Sequence, residues 1–329
     1  MNQPSTRLIS REEVAQLLTV DECITAVELA FRMHGEGKAE RPGILGVPAR
    51  DGGFHIKAGI MDLERPYFVA KTNANFPNNG KFALPTIQGV IVVCDAENGR
   101  LLALMDSIEI TILRTGAATA VAAKYLSRED SKTVTICGAG NQGRVSLRML
   151  SQIRPLENVF VYDIDHARSG VFADELSEEL ELEVLPVEDL GKATRKSDIV
   201  VTCTPSNHFL IEREHISEGT FIAAVGADNE DKQEIDPTLF NEVRVVTDIT
   251  EQCMHIGELH HAIEKNLFAA KDVSAELGEI VAGKKPGRRD RDEIIIFDST
   301  GMALQDVATS AVVYEKAIER QIGMTMKFS

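Results

Sequence analysis

A strand-like run at 133–137 passes directly into Gly138-Ala139-Gly140-Asn141-Gln142-Gly143 and then into a helix-like stretch at 144–153. No other feature of the chain restricts its fold as tightly. Glycines at this spacing allow a tight turn out of a strand, let the backbone approach a pyrophosphate, and let the helix pack closely on the strand it left. The next strand-like run ends at Asp163, 20 residues past Gly143, where a carboxylate can accept hydrogen bonds from the ribose of an adenine dinucleotide. Gly138, Gly140, Asn141, Gln142, Gly143 and Asp163 are therefore the expected cofactor residues. A carboxylate at 163 repels a 2′-phosphate, which favours NAD, while Asp165 and Arg168 keep NADP as the alternative.

Around this loop, strands and helices alternate. Runs at 133–137, 159–162, 198–203, 221–225, 243–246 and 293–297, separated mostly by helical patterns, predict an α/β fold with a Rossmann-type doubly wound parallel sheet over residues 119–304. The preceding residues follow a different order. Ser10 with Glu13 forms a capping-box signal for a first amphipathic helix, and a second helix runs from about Glu22 to His34. Five strand-like runs follow near 44–49, 54–60, 67–73, 86–94 and 101–105, with a hairpin signal at Asn98-Gly99. Helices followed by consecutive strands make an α+β unit, assigned to residues 1–118. A final helix near 301–321 returns the chain to it, so residues 305–329 complete this substrate domain.

Composition narrows the function. Lys and Arg number 35 against 51 Asp and Glu, a formal net charge of −16 that lies almost wholly in residues 119–304. Such a chain repels a phosphate backbone. The longest basic run, Lys284 to Arg291, is interrupted by Pro286, Gly287 and Asp290 and reads as a solvated loop, so no nucleic-acid partner is expected. No stretch approaches the roughly 20 apolar residues of a membrane span, and the polar start lacks a signal peptide's apolar core, so a cytoplasmic protein is expected. Cys23, Cys94, Cys137, Cys203 and Cys253 are scattered singly, mostly in apolar runs, and read as reduced core or near-core residues.

Hydride chemistry needs polar residues that hold and protonate a substrate. Arg114 interrupts an Ala-rich apolar helix, where a guanidinium is costly to bury unless paired. A substrate carboxylate would pair it, as would Asp106 or Glu109. Lys71 ends an apolar strand, and Arg41 opens the strand region. Asp228 follows the run at 221–225, at the carboxyl end of a parallel strand, and reads as a proton-transfer acid or as a loop acid beside Glu230 and Asp231. Thr204, with Pro205 and Ser206, follows another such strand and reads as an edge of the cofactor cleft or as a plain turn.

Several motifs in order then resemble the ornithine cyclodeaminase/μ-crystallin family over essentially the whole chain. They are KTNANFPNN at 71–79, LPT at 84–86, LRTGAAT at 113–119, the GAGNQG loop, VGADNEDKQEID at 225–236, IGEL at 256–259 and FDSTGMALQD at 297–306. The resemblance implies hydride transfer at a Cα–N bond by an NAD-dependent imine reductase or amino-acid dehydrogenase. Its alternatives are a cyclodeaminase that releases ammonia and uses NAD catalytically, or a μ-crystallin-like binding protein, which the presence of Asp228, Arg114 and Lys71 disfavours. It further implies that Arg41, Lys71 and Arg114 hold the substrate's α-carboxylate, with Lys71 close to the reacting nitrogen. Asp228 becomes the acid/base, Ser299 and Thr300 lie near the nicotinamide, and the first domain builds a homodimer.

The residues also bear on the substrate. His55 and Lys57 share one strand face by the period-two rule, so Lys57 joins Arg41, Lys71 and Arg114 in a cation-rich pocket. Such a pocket suits a small amino or imino acid, including one with a second carboxylate such as iminosuccinate or aspartate; alternatively His55 and Lys57 face solvent or a partner subunit. IGELHHAI stands where dedicated ornithine enzymes carry an EGEIQ-type loop. Glu258 there reads as a supporting acid. His260 and His261 are expected to point apart on a helix, with no Cys or Asp completing a set, so no metal is expected.

Overall fold

In the computed structural model, which describes residues 5–39 and 42–328, the chain divides into two units. The first holds the residues up to Arg114 together with those from Met302 onward, and the second is Thr115–Gly301. Both divisions fall a few residues before 118/119 and 304/305.

The first unit opens with strand β1 (Thr6–Ile9) and helices α1 (Arg11–Leu17) and α2 (Val20–Glu36). Each helix starts on a closed capping box, Ser10 with Glu13 and Thr19 with Glu22, and Gly37 in the left-handed region ends α2. Strands β2 (Gly43–Ala49), β3 (Gly52–Asp62), β4 (Pro66–Asn75), β5 (Ile87–Asp95) and β6 (Leu101–Asp106) follow, then helix α3 (Ile108–Leu126), which crosses the division between the units. The chain re-enters through helix α10 (Ala303–Glu319) and strand β17 (Met324–Met326). The seven strands form one sheet in the order β17-β1-β6-β5-β4-β3-β2. Strands β1 and β17 lie outside the expected set. They are too short to carry a periodicity and exist through pairing, β1 parallel to β6 and antiparallel to β17.

Helix α10 packs on one face of this sheet. A Cβ at Gly59 would stand 3.1 Å from the Leu304 side chain, so the missing side chain lets the helix approach β3. That face buries Met61, Val69 and Ile91. By strand alternation the opposite face carries Leu45, Val47, Phe54, Ile60 and Val90, all exposed.

The second unit comprises β7 (Thr133–Cys137), α4 (Asn141–Ile153), β8 (Asn158–Tyr162), α5 (His166–Leu180), β9 (Glu183–Pro186), α6 (Leu190–Thr194), β10 (Ile199–Thr202), β11 (Asn207–Ile211) and β12 (Phe221–Ala224). It continues with β13 (Gln233–Ile235), β14 (Arg244–Thr247), α7 (Thr250–Ile256), α8 (Glu258–Glu264), β15 (Ala275–Glu276), α9 (Leu277–Val281) and β16 (Ile295–Asp298). Eight of these strands form a parallel sheet in the order β15-β14-β16-β12-β10-β7-β8-β9. Strands β10, β12, β14 and β16 are buried at every residue, as expected for a parallel sheet covered on both faces. The order reverses at β7, which pairs with β8 on one side and β10 on the other, so the topological switch point, where open sheets of this kind bind ligands, falls at the carboxyl ends of β7 and β10.

One expectation needs correction. The 284–291 run is not merely a solvated loop: Arg288 Nε donates to the Leu126 carbonyl at 2.8 Å, pinning the loop to the end of α3, and Arg244 Nη2 donates to the Pro286 carbonyl at 2.7 Å. The cysteines are all unpaired, with Cys23, Cys137 and Cys253 buried and Cys94 and Cys203 partly buried, matching core and near-core positions. No described helix is long and apolar enough to cross a membrane.

Candidate active site

Lys71 lies in β4 on the face covered by α10, in strand register between Lys57 of β3 and Ile91 of β5. Only 2% of it is exposed, and its Nζ donates to Asp306 Oδ1 at 2.7 Å. Arg114, from α3, approaches the same oxygen, with Nε at 3.5 Å, while its Nη1 donates to Gln305 Oε1 at 3.2 Å. Two buried cations therefore share one oxygen of one carboxylate. Burial, opposed by Asp306 and reinforced by Arg114 and Lys57, brings the Lys71 ammonium down to about 7. Among the described residues, Arg114 Nε, Gln305 Nε2 and Asp306 Oδ2 are buried without a hydrogen-bond partner, so the cluster has donors and an acceptor to offer a polar ligand.

Arg114 does not pair with Asp106 or Glu109. Asp106 Oδ1 accepts from the Ile108 amide at 2.8 Å and caps α3, and Glu109 takes Arg11 at 3.1 Å. Asn73, the third residue of the KTNANF motif, accepts from Ser107 Oγ at 2.6 Å, fastening β4 to the start of α3. His55 is its cross-strand partner, so Lys57, Lys71, His55 and Asn73 do share a face. Arg41 lies outside the described residues.

In the second unit the glycine loop has the form a pyrophosphate requires. Gly138 adopts φ +114°, where a Cβ would stand 3.0 Å from the Cys203 carbonyl oxygen. A Cβ at Gly143 would collide with the Gly138 carbonyl, so any side chain would push α4 off β7. At Gly140 the surroundings are open, with only the Arg168 guanidinium 3.9 Å from where a Cβ would be. Helix α4 starts at Asn141 with no side-chain cap, leaving its first amides, including that of Gln142, for an anion. A cavity of about 500 Å³ beside the loop is lined by Gly140, Asn141, Arg144 and Arg168.

Asp163 follows β8 and does two things at once. Its Oδ2 accepts from the Ala139 amide at 2.9 Å and its Oδ1 from the Asp165 amide at 3.0 Å, so it braces the glycine loop. Each carboxylate oxygen retains a second lone pair for a ribose hydroxyl. These residues fit an adenine dinucleotide.

The other strand ends are tied by buried acids. Glu234 Oε1 accepts from the Thr204 amide at 2.7 Å. Glu258 accepts from the Glu234 and Ile235 amides at 2.7 and 3.1 Å, and Asp298 from the Glu258 and Leu259 amides at 3.2 and 2.9 Å. Asp248 accepts from Ser299 Oγ at 3.0 Å and from the Gly301 amide at 2.6 Å. All four carboxylates are fully buried. Burial raises Glu234 and Asp298 to about 7 and pushes Glu258 well above the usual carboxylate range, where Glu234 and Asp298 add to the effect. Thr204 and Ser299 are therefore held in place through these acids.

Asp228 lies just past β12 with its side chain half exposed and paired to Lys232 at 2.6 Å. His260 and His261 do not point apart: their rings pack edge to face at 4.6 Å. His260 faces Glu264 at 3.3 Å, and His261 Nε2 lies 2.8 Å from the Lys232 carbonyl oxygen. Sequence reasoning missed Asp306 and Gln305 as site residues. Their signal was of the kind that exposed Arg114, polar groups inside the otherwise apolar α10.

A parallel sheet with a glycine-cradled helix start in one unit, and two buried cations around one carboxylate in the other, define a dinucleotide-dependent protein acting on a small anion. The chain belongs to the ornithine cyclodeaminase/mu-crystallin family, whose model matches residues 5–321. It is similar to an archaeal alanine dehydrogenase dimer with bound NAD, 36% identical, TM-score 0.95, covering 99% of this chain and 100% of that one. It is also similar to the Thermococcus litoralis Δ1-pyrroline-2-carboxylate reductase in complex with NADH and L-proline, 34% identical, TM-score 0.92, covering 98% and 100%. The iminosuccinate reductase of Paracoccus denitrificans in complex with NAD⁺ is 31% identical, with TM-score 0.90, over 98% and 100%.

Proposed function

We propose that this chain is an NAD(H)-dependent oxidoreductase that transfers a hydride at the Cα–N bond of a small amino or imino acid. One observation carries the reading: Lys71 and Arg114, both buried, share a single carboxylate oxygen, so whenever Lys71 is protonated the cluster has a surplus positive charge that a substrate carboxylate would balance. The glycine loop and Asp163 supply the dinucleotide site. NAD(H), when bound, provides the hydride acceptor or donor. Arg114 orients the α-carboxylate, and Lys71 Nζ, near neutrality in its proton affinity, gives a proton to the imine nitrogen or takes one from the amine. Asp228 is the second candidate for that exchange, its half-exposed carboxylate standing past a parallel strand end.

Lys57, directly across from Lys71, extends the positive field and supports a dicarboxylic substrate of the iminosuccinate type. The same field disfavours a diamino acid, whose second ammonium would meet like charge. A second copy of the chain is the partner we assign to the open sheet face of the first unit, where Leu45, Val47, Phe54, Ile60 and Val90 are exposed together.

The test is NADH oxidation by the purified protein with pyrroline-2-carboxylate, iminosuccinate, and the imines formed from pyruvate with ammonia or methylamine. Steady oxidation with at least one is expected. Ammonia release from ornithine or lysine with only catalytic NAD⁺, and no net oxidation of NADH, would overturn the reading in favour of a cyclodeaminase.

A further inference from the structure

We propose that Asp306 is a positioning residue for the carboxylate clamp, a resident anion on α10 that holds Lys71 and Arg114 in one geometry and favours the protonated form of Lys71. The inference rests on the function proposed above. Asp306 is 1% exposed and sits on a helix that packs against α2 as well as β3 and β4, so its carboxylate is fixed by the core of the unit. Its Oδ1 takes both cations while Oδ2 takes no hydrogen bond, which is poor use of a buried carboxylate if stability were its purpose. The neighbouring Gln305 sets the plane of the Arg114 guanidinium through Nη1. Consecutive residues of α10 thus act on the two cations, one orienting the fork and the other supplying charge.

The surroundings show why a resident anion is needed. Lys71 faces Lys57, with His55 two residues along, from β3; it faces Arg114 from α3, Asp306 from α10 and the apolar Ile91 from β5. Cys23 of α2, a neutral thiol, stands near Arg114. Asp306 is therefore the one anion that these elements bring to Lys71 among the described residues. Without it, desolvation and two like charges all act to strip the ammonium of its proton.

The experiment compares full-length wild type, Asp306→Asn and Asp306→Glu. The readouts are the pH profile of kcat for NADH-linked imine reduction and the NADH affinity from fluorescence titration. In Asp306→Asn the limb on which activity falls with rising pH should move to lower pH by about one unit or more, with NADH affinity unchanged. Asp306→Glu keeps the charge and should return the limb towards its wild-type position while kcat stays reduced. Should Asp306→Asn fail to fold, Lys71→Met/Asp306→Asn should be the more stable of the two, because it removes one of the two cations that the lost carboxylate strands and leaves Arg114 with Gln305 alone. A limb that stays in place in Asp306→Asn, or a double variant no more stable than the single one, overturns the proposal. A wild type that reduces no imine would defeat the functional reading instead, and the comparison of single and double variants would still decide whether Asp306 sustains the Lys71 charge.

Discussion

Substrate binding should draw a proton onto the protein. Burial brings Lys71 down to about 7 without a ligand, so at pH 8 its ammonium is the minority form. A substrate carboxylate about 4 Å away adds roughly 4 kcal/mol of attraction to the charged form at an effective dielectric of about 20. That equals some three pH units, and an observed rise of about two is a fair central value for an opposite charge at that range. A rise of that size makes the ammonium the majority form at pH 8, so binding takes up on the order of half a proton or more. Calorimetric titration of pyrrole-2-carboxylate, a non-reacting planar carboxylate, into the protein with NADH in phosphate and in Tris buffers reads this number. The observed enthalpy plotted against the buffers' ionisation enthalpies has the proton count as its slope. A slope near zero in the wild type, or an unchanged slope in Lys71→Met, would refute the reasoning.

Other outcomes follow from the same geometry. Arg114→Leu should raise KM for the imino acid on the order of 100-fold, about 3 kcal/mol, because it strands the remaining buried groups, with NADH affinity unaffected in fluorescence titration; a normal KM would remove Arg114 from the clamp. Asp228→Asn should lower kcat by about 100-fold or more while NADH still binds, and undiminished turnover would reject its role. Glu234 has its folded value raised to about 7 from 4.5, so the stability it contributes is complete below pH 4.5 and is lost as the pH rises to about 7. Glu234→Gln should remove that dependence, worth about 3 kcal/mol, from thermal melts at pH 5 and 8, whereas an unchanged difference between the two pH values would contradict it.

What the sequence made legible was local. The glycine loop could be read because its geometry depends on a few neighbouring residues, and the buried strands of the second unit could be read as unbroken apolar runs. The five strands β2 to β6 alternate strongly enough to be placed within a residue or two. The partner of Arg114 was not legible: the acids within reach along the helix, Asp106 and Glu109, turned to other work, and the carboxylate that meets it is Asp306, whose bond to Lys71 spans 235 residues of chain. Strands β1 and β17 were hidden for the same reason, since only tertiary pairing makes them strands. Arg288, within a run of hydrophilic residues, became an anchor through carbonyls at the end of α3 that no local pattern announces.

The brace at Asp163 has a consequence for how this protein could change. The carboxylate suited to a ribose diol also holds the amide of Ala139, so exchanging it for a smaller or basic side chain to admit a 2′-phosphate would at the same time unfasten the glycine loop. Cofactor preference and loop architecture are thus inherited together. A lineage, or an engineer, seeking NADP use would do better to leave position 163 alone and vary the exposed Ile164 and the Arg168 beside Gly140.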